Sequence, residues 1–386
     1  MQNKNTKNIN TLLEQAKKYI DNECYDKATE LINTILEQDK NIAEAYFLRA
    51  KANPNVNKLN ESNYKTIYNS IIDDYTRCVE LNPQHYKAFN NRGLLKIYLN
   101  DYEGAKADFE QSILINPTWD KAYFNKARLL IDYLGQDYKT AIQCLNNGIK
   151  VNSNSYMAYA YRALAYYKEG NYDKAIKDYS TTIQINPDCS HAYYGRGLAK
   201  DELNNYKGSI EDYTKAIGLE PSNAEIYYKR GVAKQRLLIT SQGISYGTVD
   251  KTSLEDFTEA IKLLPKWSEP YSYRASSYYL LKKYDLALKD WNKYIELEPE
   301  NSHGYCNRGY VKHELEDYQG AIEDYTKAIN LCDDDCSLYY SRGLSKSAIK
   351  DYIGAKEDLQ LGLKVANNEE SYLSNELKKE LEEKLI

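Results

Sequence analysis

The stretch GISYG, Gly243 to Gly247, has the G-x-S-x-G form of a hydrolase nucleophile elbow. That chemistry needs Ser245 on a strained strand-to-helix turn, with a histidine and an acid in reach. The chain shows no alternating strand pattern, and two glycines suit a surface loop, so the motif reads as an inserted turn. The four histidines, His85, His191, His303 and His313, do not form H-E-x-x-H or another metal spacing. Gly195 and Gly197 fall within a helical pattern and cannot form a phosphate-cradling loop after a strand. Seven cysteines (24, 78, 144, 189, 306, 332 and 336) are an odd number without ligand spacing, expected as reduced thiols. Cys332 and Cys336 flank DDD and read as small residues closing a helix end. The sequence therefore assigns no catalytic residue, no metal ligand and no cofactor, and the expectation is a protein that is not an enzyme.

What recurs instead is a beat. Aligned on their small residues, ten units of 34 residues cover most of the 386-residue chain: 9–42, 43–85, 86–119, 120–155, 156–189, 190–223, 224–267, 268–301, 302–335 and 336–369. The second, fourth and seventh carry insertions of 9, 2 and 10 residues. A typical unit has an aromatic at position 4 and a small residue at 8. A tyrosine follows near 17, a small residue at 20, an aromatic at 24 and often alanine at 27. Spacings of three and four mark one face of a helix, so each unit reads as two short helices, A and B, packed antiparallel. Position 8 is glycine in five units (Gly93, Gly197, Gly231, Gly309, Gly343). A glycine inside a helix costs roughly 1 kcal/mol against alanine, so a neighbour must need the space. Pro83, Pro117, Pro187, Pro221, Pro265 and Pro299 stop helix B at position 32.

Position 7 of helix A holds Arg49, Arg92, Lys126, Arg162, Arg196, Arg230, Arg274, Arg308 and Arg342. Position 23 of helix B holds Asp74, Asp108, Asp178, Asp212, Asp256, Asp290, Asp324 and Asp358. Where arginine becomes Lys126, the acid is also missing, replaced by Cys144. That joint departure favours an ion pair between the two helices over a basic rail for a partner.

The pattern resembles the tetratricopeptide repeat. The match covers about nine-tenths of the chain, with departures at Ile71 (position 20) and where Lys40, Ser153, Asp333 and Asn367 replace the proline. The resemblance implies an all-α solenoid of antiparallel helix pairs forming a right-handed superhelix, with the A helices on its concave side. Residues 1–8 are expected to be disordered. The leucine stripe Leu373, Leu377, Leu381 and Leu385 reads as a C-terminal capping helix over 370–386.

If positions 2, 5, 6, 9, 12 and 13 face the concave side, they would line a groove for an extended peptide or a partner's helix. The candidate residues are Asn91, Lys121, Phe124, Asn125, Arg128, Tyr161, Tyr167, Tyr194, Tyr228, Lys229, Tyr273, Tyr279, Asn307, Tyr310 and Tyr340. The chain has 40 tyrosines against five phenylalanines, and tyrosine offers wide apolar area, a hydroxyl and few torsions to freeze. Tyr161, Tyr194 and Tyr228 are expected near the centre of one patch. The family's carboxylate clamp for chaperone C-termini is not complete: Asn91 and Lys121 match it, but Phe47, Lys51 and Asn125 occupy its other places. The insertions at 52–63 and 239–253 are a second candidate binding region.

A net charge of −5 argues against nucleic acid as partner. No apolar run approaches the ~20 residues of a membrane span, and the polar start lacks a secretory h-region. The expected partner is another protein, in the cytoplasm, without membrane insertion. The function expected is a binding scaffold; the alternatives are a self-associating structural subunit and a regulatory subunit of an enzyme.

Overall fold

The computed structural model describes residues 2–54, 60–135, 137–242, 249–332 and 335–366. Among these, all regular structure is helical, and twenty α-helices fall into ten antiparallel pairs. In the first body, Met1–Asp188, the pairs are α1 (Gln2–Asp21) with α2 (Tyr25–Gln38), α3 (Ala43–Lys51) with α4 (Tyr64–Leu81), α5 (Tyr86–Tyr98) with α6 (Tyr102–Ile115), α7 (Asp120–Asp132) with α8 (Tyr138–Val151), and α9 (Tyr156–Lys168) with α10 (Tyr172–Ile185). In the second, Cys189–Ile386, they are α11 (Ser190–Glu202) with α12 (Tyr206–Leu219), α13 (Ala224–Gln242) with α14 (Lys251–Leu263), α15 (Glu269–Leu280) with α16 (Tyr284–Leu297), α17 (Ser302–Glu314) with α18 (Tyr318–Leu331), and α19 (Cys336–Ala348) with α20 (Tyr352–Ala366). Within each body the pairs stack in sequence order as an α-solenoid. Successive A helices touch directly, as α5 does α7 and α7 does α9, which sets them on one side of the stack.

The turn inside a pair has its own chemistry. Asn100, Asn204, Lys282, Glu316 and Lys350 adopt φ between 57° and 67°, a left-handed step that reverses the chain. The next residue then caps helix B in several pairs: Asp101, Asn205, Asp317 and Asp351 accept from the backbone N–H three residues on. Such a cap is worth about 1 kcal/mol.

Seven of the ten pairs then close on an aromatic at position 24. Tyr75, Phe109, Tyr179, Tyr213, Phe257, Trp291 and Tyr325 are all buried. Gly197 explains its own small size: a Cβ there would lie 2.6 Å from Tyr213 Cε1. At Gly343 the facing residue is Leu359, and the nearest atom would be the Ala355 carbonyl oxygen at 3.3 Å.

All eight arginine–aspartate pairs expected from the sequence form. In each, Nε and Nη2 grip the two carboxylate oxygens at 2.6 to 3.1 Å, as in Arg92–Asp108 and Arg230–Asp256. The others are Arg49–Asp74, Arg162–Asp178, Arg196–Asp212, Arg274–Asp290, Arg308–Asp324 and Arg342–Asp358. Nη1 reaches out of the pair to the preceding helix B, at Asn33, Thr76, Asn146, Thr214, Thr258, Asn292 and Thr326. Each guanidinium also lies over the ring three residues earlier, 5.3 Å from Tyr159 and 5.9 Å from Tyr271 at the extremes. Lys96, Lys200, Lys234, Lys312 and Lys346 add a second cation to five of the aspartates. Lys126 keeps only the outward link, to Glu110 at 2.8 Å.

Two expectations change. Residues 2–8, expected to be disordered, are helical, because α1 begins at Gln2. No glycine or proline interrupts that stretch, and extending a helix already nucleated at 9–21 is far cheaper than starting one. The insertion expected as a loop over 239–253 is helical through Gln242 and again from Lys251. GISYG with Ser245, part of the 52–63 insertion and the leucine stripe at 373–385 lie outside the described residues.

Removing one arm of the ladder, as in Arg308→Ala, strands a buried carboxylate and should cost about 3 kcal/mol. Lys126→Ala should cost under about 1 kcal/mol; urea unfolding followed by circular dichroism compares the two. Gly197→Ala should destabilise by about 1–3 kcal/mol through overpacking against Tyr213. The same change at Gly343 should be milder, because Leu359 leaves more room.

Candidate functional site

On the A-helix side of the first body, α3, α5, α7 and the start of α9 enclose a cleft of about 600 Å³. Its walls are Phe47, Leu94, Trp119, Phe124 and Met157, and its polar groups are Asn90, Asn91, Asn125, Lys51, Lys87 and Lys121. Position 5 supplies Phe47, Asn90 and Phe124, position 6 Asn91 and Asn125, and position 2 Lys87, Lys121 and Met157. The cleft is thus the inner face of four consecutive A helices, where helical spacing stacks these positions side by side.

Its floor is a chain of amides. Asn125 Nδ2 donates to Asn90 Oδ1 at 2.8 Å, Asn90 Nδ2 to Asn91 Oδ1 at 3.2 Å, and Asn91 Nδ2 to the Tyr75 hydroxyl at 3.3 Å. Asn90 and Asn125 are buried, 3% and 9% exposed, so this chain satisfies groups that would otherwise be stranded. Tyr75 is pushed up to about 12 by burial. Phe47 packs at a tilt on His85, with ring centroids 4.4 Å apart, and Phe124 meets Tyr161 edge-on at 5.1 Å.

The charges are one-sided. Lys51, Lys87 and Lys121 are exposed, and no acidic residue lines the cleft. Glu44, on the same helix as Lys51, is already engaged by His85 Nε2 at 3.3 Å and Lys17 Nζ at 3.2 Å. The His85 hydrogen bond, more than Lys17, holds its carboxyl below the ordinary range. His85 Nδ1 accepts from the Ala88 N–H, which leaves Nε2 as the donor toward Glu44.

The cleft unites Asn91, Lys121, Phe124 and Asn125 of the expected residues. Tyr161 adjoins it through Phe124. Arg128 and Asp132 act electrostatically on Tyr161, whose hydroxyl is raised chiefly by burial. Tyr167 turns to its own pair, 5.6 Å from Tyr172. In the second body the candidates are engaged mostly by neighbouring rings. Tyr194 lies 5.9 Å from Tyr213, Tyr228 meets Trp267 at 4.8 Å and Tyr273 at 5.4 Å, and Tyr279 lies 5.7 Å from Tyr284. Lys229 Nζ sits 5.8 Å over the Tyr228 ring, and Asn307 donates to the His303 carbonyl at 2.8 Å. Tyr310 packs on Tyr325 and accepts from Ser341 Oγ at 3.4 Å, while Tyr340 is half-buried on α19. Tyr161 belongs to the first body, Tyr194 and Tyr228 to the second.

Lys87, Leu94, Met157 and Trp119 complete the cleft without having been singled out from the sequence. The first three sit on the 2 and 9 positions of the same stripe, so the repeat could have revealed them. Trp119 ends its unit outside that stripe and is brought in by the turn, resting on Tyr86 at 5.0 Å. Asp201 was also missed. It is buried, accepts from Ser209 Oγ at 2.6 Å and the Tyr213 hydroxyl at 3.0 Å, and burial raises its carboxyl.

A dish of about 710 Å³ on the second body, lined by Glu225, Leu264, Pro265, Lys266 and Trp267, has no comparable set of converging polar groups. Among the described residues, no three His, Cys, Asp or Glu side chains converge as metal ligands would. No described helix is long and apolar enough to cross a membrane.

Family profiles described as tetratricopeptide repeat match residues 86–118 and 156–189, and one described as TPR repeat matches 202–237 and 309–348. The human mitochondrial import receptor subunit TOM70 is 30% identical over 27% of this chain and 22% of its own length. Small glutamine-rich tetratricopeptide repeat-containing protein 2 of Mycosarcoma maydis is 29% identical over 30% of this chain and 31% of its own. The chain thus spans under a third of either relative. The C-terminal part of a TPR repeat-containing protein from Cytophaga hutchinsonii has a similar fold, with a TM-score of 0.53 and 19% identity over 66% of this chain and 98% of that one.

Replacing Asn90 by Leu should cost about 1–3 kcal/mol by leaving the Asn125 and Asn91 amides unpaired in the floor. Asn91→Leu, nearer the rim, should cost less; thermal unfolding of the two variants measures the difference.

Proposed function

Because the chain belongs to the tetratricopeptide repeat family, we propose that it is a protein-interaction scaffold that holds an extended segment of a partner in the cleft across α3, α5, α7 and α9. One observation carries this reading: apolar walls and convergent polar groups meet in a cavity of about 600 Å³, the usual composition of a recognition site. The rigid floor favours binding, since a preformed site loses little entropy on association. The human relative is by its name a receptor subunit, a role that also rests on recognition. The reading is recognition without bond chemistry. The tyrosines of the second body are secondary candidates, because their rings are largely engaged with one another.

Selecting peptides from a random display library on the full chain tests the reading. The recovered peptides should bind about tenfold more weakly to Leu94→Trp, which fills the cleft with a ring. They should bind unchanged to Leu114→Trp, whose site is 74% exposed on α6. Equal binding to both variants, or a library that yields no binder, would overturn the proposal.

A further inference from the structure

The uncompensated charge of the cleft specifies what kind of segment it takes, an inference that rests on the binding role just proposed. Many of the cations on the A helices are matched internally. The eight ladder arginines are matched by aspartates, and Lys96, Lys200, Lys234, Lys312 and Lys346 are bound to the same carboxylates. Lys51, Lys87 and Lys121 differ, since none of them forms an ion pair with any described residue and no acid lines the cavity they border. Three like charges around one hollow repel one another, and a ligand with the opposite charge relieves that repulsion.

Their placement adds a spacing. Lys51 is on α3, Lys87 on α5 and Lys121 on α7, so three of the four A helices that line the cleft contribute one ammonium each, and α9 contributes Met157. Packed helices lie about 8–10 Å apart. An extended chain advances about 3.3–3.6 Å per residue, so about three residues span the step from Lys87 to Lys121, which share position 2 on neighbouring helices, while Lys51 at position 9 stands about two turns along its own helix. Between the ammonium groups the walls are apolar, with Phe47 and Leu94 toward one end and Trp119, Phe124 and Met157 toward the other.

We propose that this cleft selects an extended internal segment of a partner protein in which two acidic side chains about three residues apart face Lys87 and Lys121 and a further one reaches Lys51, with aliphatic side chains between them. The recognition is by side chains along the segment and needs no chain terminus. Lysine ammonium groups, as point charges on flexible stems, suit scattered carboxylates better than the rigid fork of arginine would.

Three short synthetic peptides test this, each C-terminally amidated and sharing the same leucines, with Asp, Ser or Lys at every third position. Fluorescence anisotropy with the full chain should rank Asp above Ser above Lys. Binding of the Asp peptide should weaken steeply as salt rises toward about 0.5 M. Lys51→Ala, Lys87→Ala and Lys121→Ala should each weaken it about threefold, and the triple variant more than any single one. These exposed positions leave the fold intact, which circular dichroism verifies. The inference is overturned if the three peptides bind alike, if none binds, if only a free-carboxylate version of the Asp peptide binds, or if the triple variant binds as the parent does. It is also overturned if a single-stranded oligonucleotide displaces the Asp peptide and binds more tightly. If the peptides bind alike but lose affinity on Leu94→Trp, the scaffold reading stands and only the charge preference falls.

Discussion

The guanidinium at position 7 is the fastening on which the rest of the structure depends. It spends two N–H groups on the aspartate of its own pair, one on helix B of the preceding pair, and its flat face on the ring below. One side chain thus fixes helix A to helix B, and one pair to the pair before it. Such a contact has to be met by several donors at once, because an almost buried carboxylate left unpaired would destabilise the fold by several kcal/mol. Lysine, with one ammonium on a flexible stem, cannot form the same fork. The aromatics at positions 4 and 24 and the glycines at 8 are adjustments around this contact, and they recur because the contact recurs.

A stack held this way neutralises most of its interior charge internally. Among what remains unmatched on the A-helix side of the first body are three ammonium groups bordering an apolar hollow with an amide floor. The tyrosines, numerous enough to suggest a broad aromatic surface, are mostly part of the masonry. Tyr228, Trp267 and Tyr273 pack edge to face, and Tyr310 rests on Tyr325. Aromatic content alone therefore does not locate a site in a chain whose core is itself aromatic.

The architecture was legible because each unit repeats the same packing problem. The arginine–aspartate pairing could be read from the coincident change to Lys126 and Cys144, and the breaks from the prolines at position 32. Periodicity shows which face a residue occupies but not how deep the surface is there. It placed Asn125 and Tyr228 on equivalent stripes, although one lines a cavity and the other is packed among rings. Trp119 enters through a turn, where helical phase says nothing. The Asn and Thr residues at position 25 looked like ordinary surface polar residues, because their partner is an arginine one unit further along.

From the second pair to the tenth, only the fourth lacks the fork. Lys126 reaches back to Glu110, while Cys144 stands where the aspartate would be. The helix seated without a fork, α7, is the one that carries Lys121, Phe124 and Asn125. There apolar packing takes over from the ion pair, with Ala127 and Leu130 lodged against Cys144 and Leu145, so one jaw of the cleft is held to its partner helix by fit and not by charge.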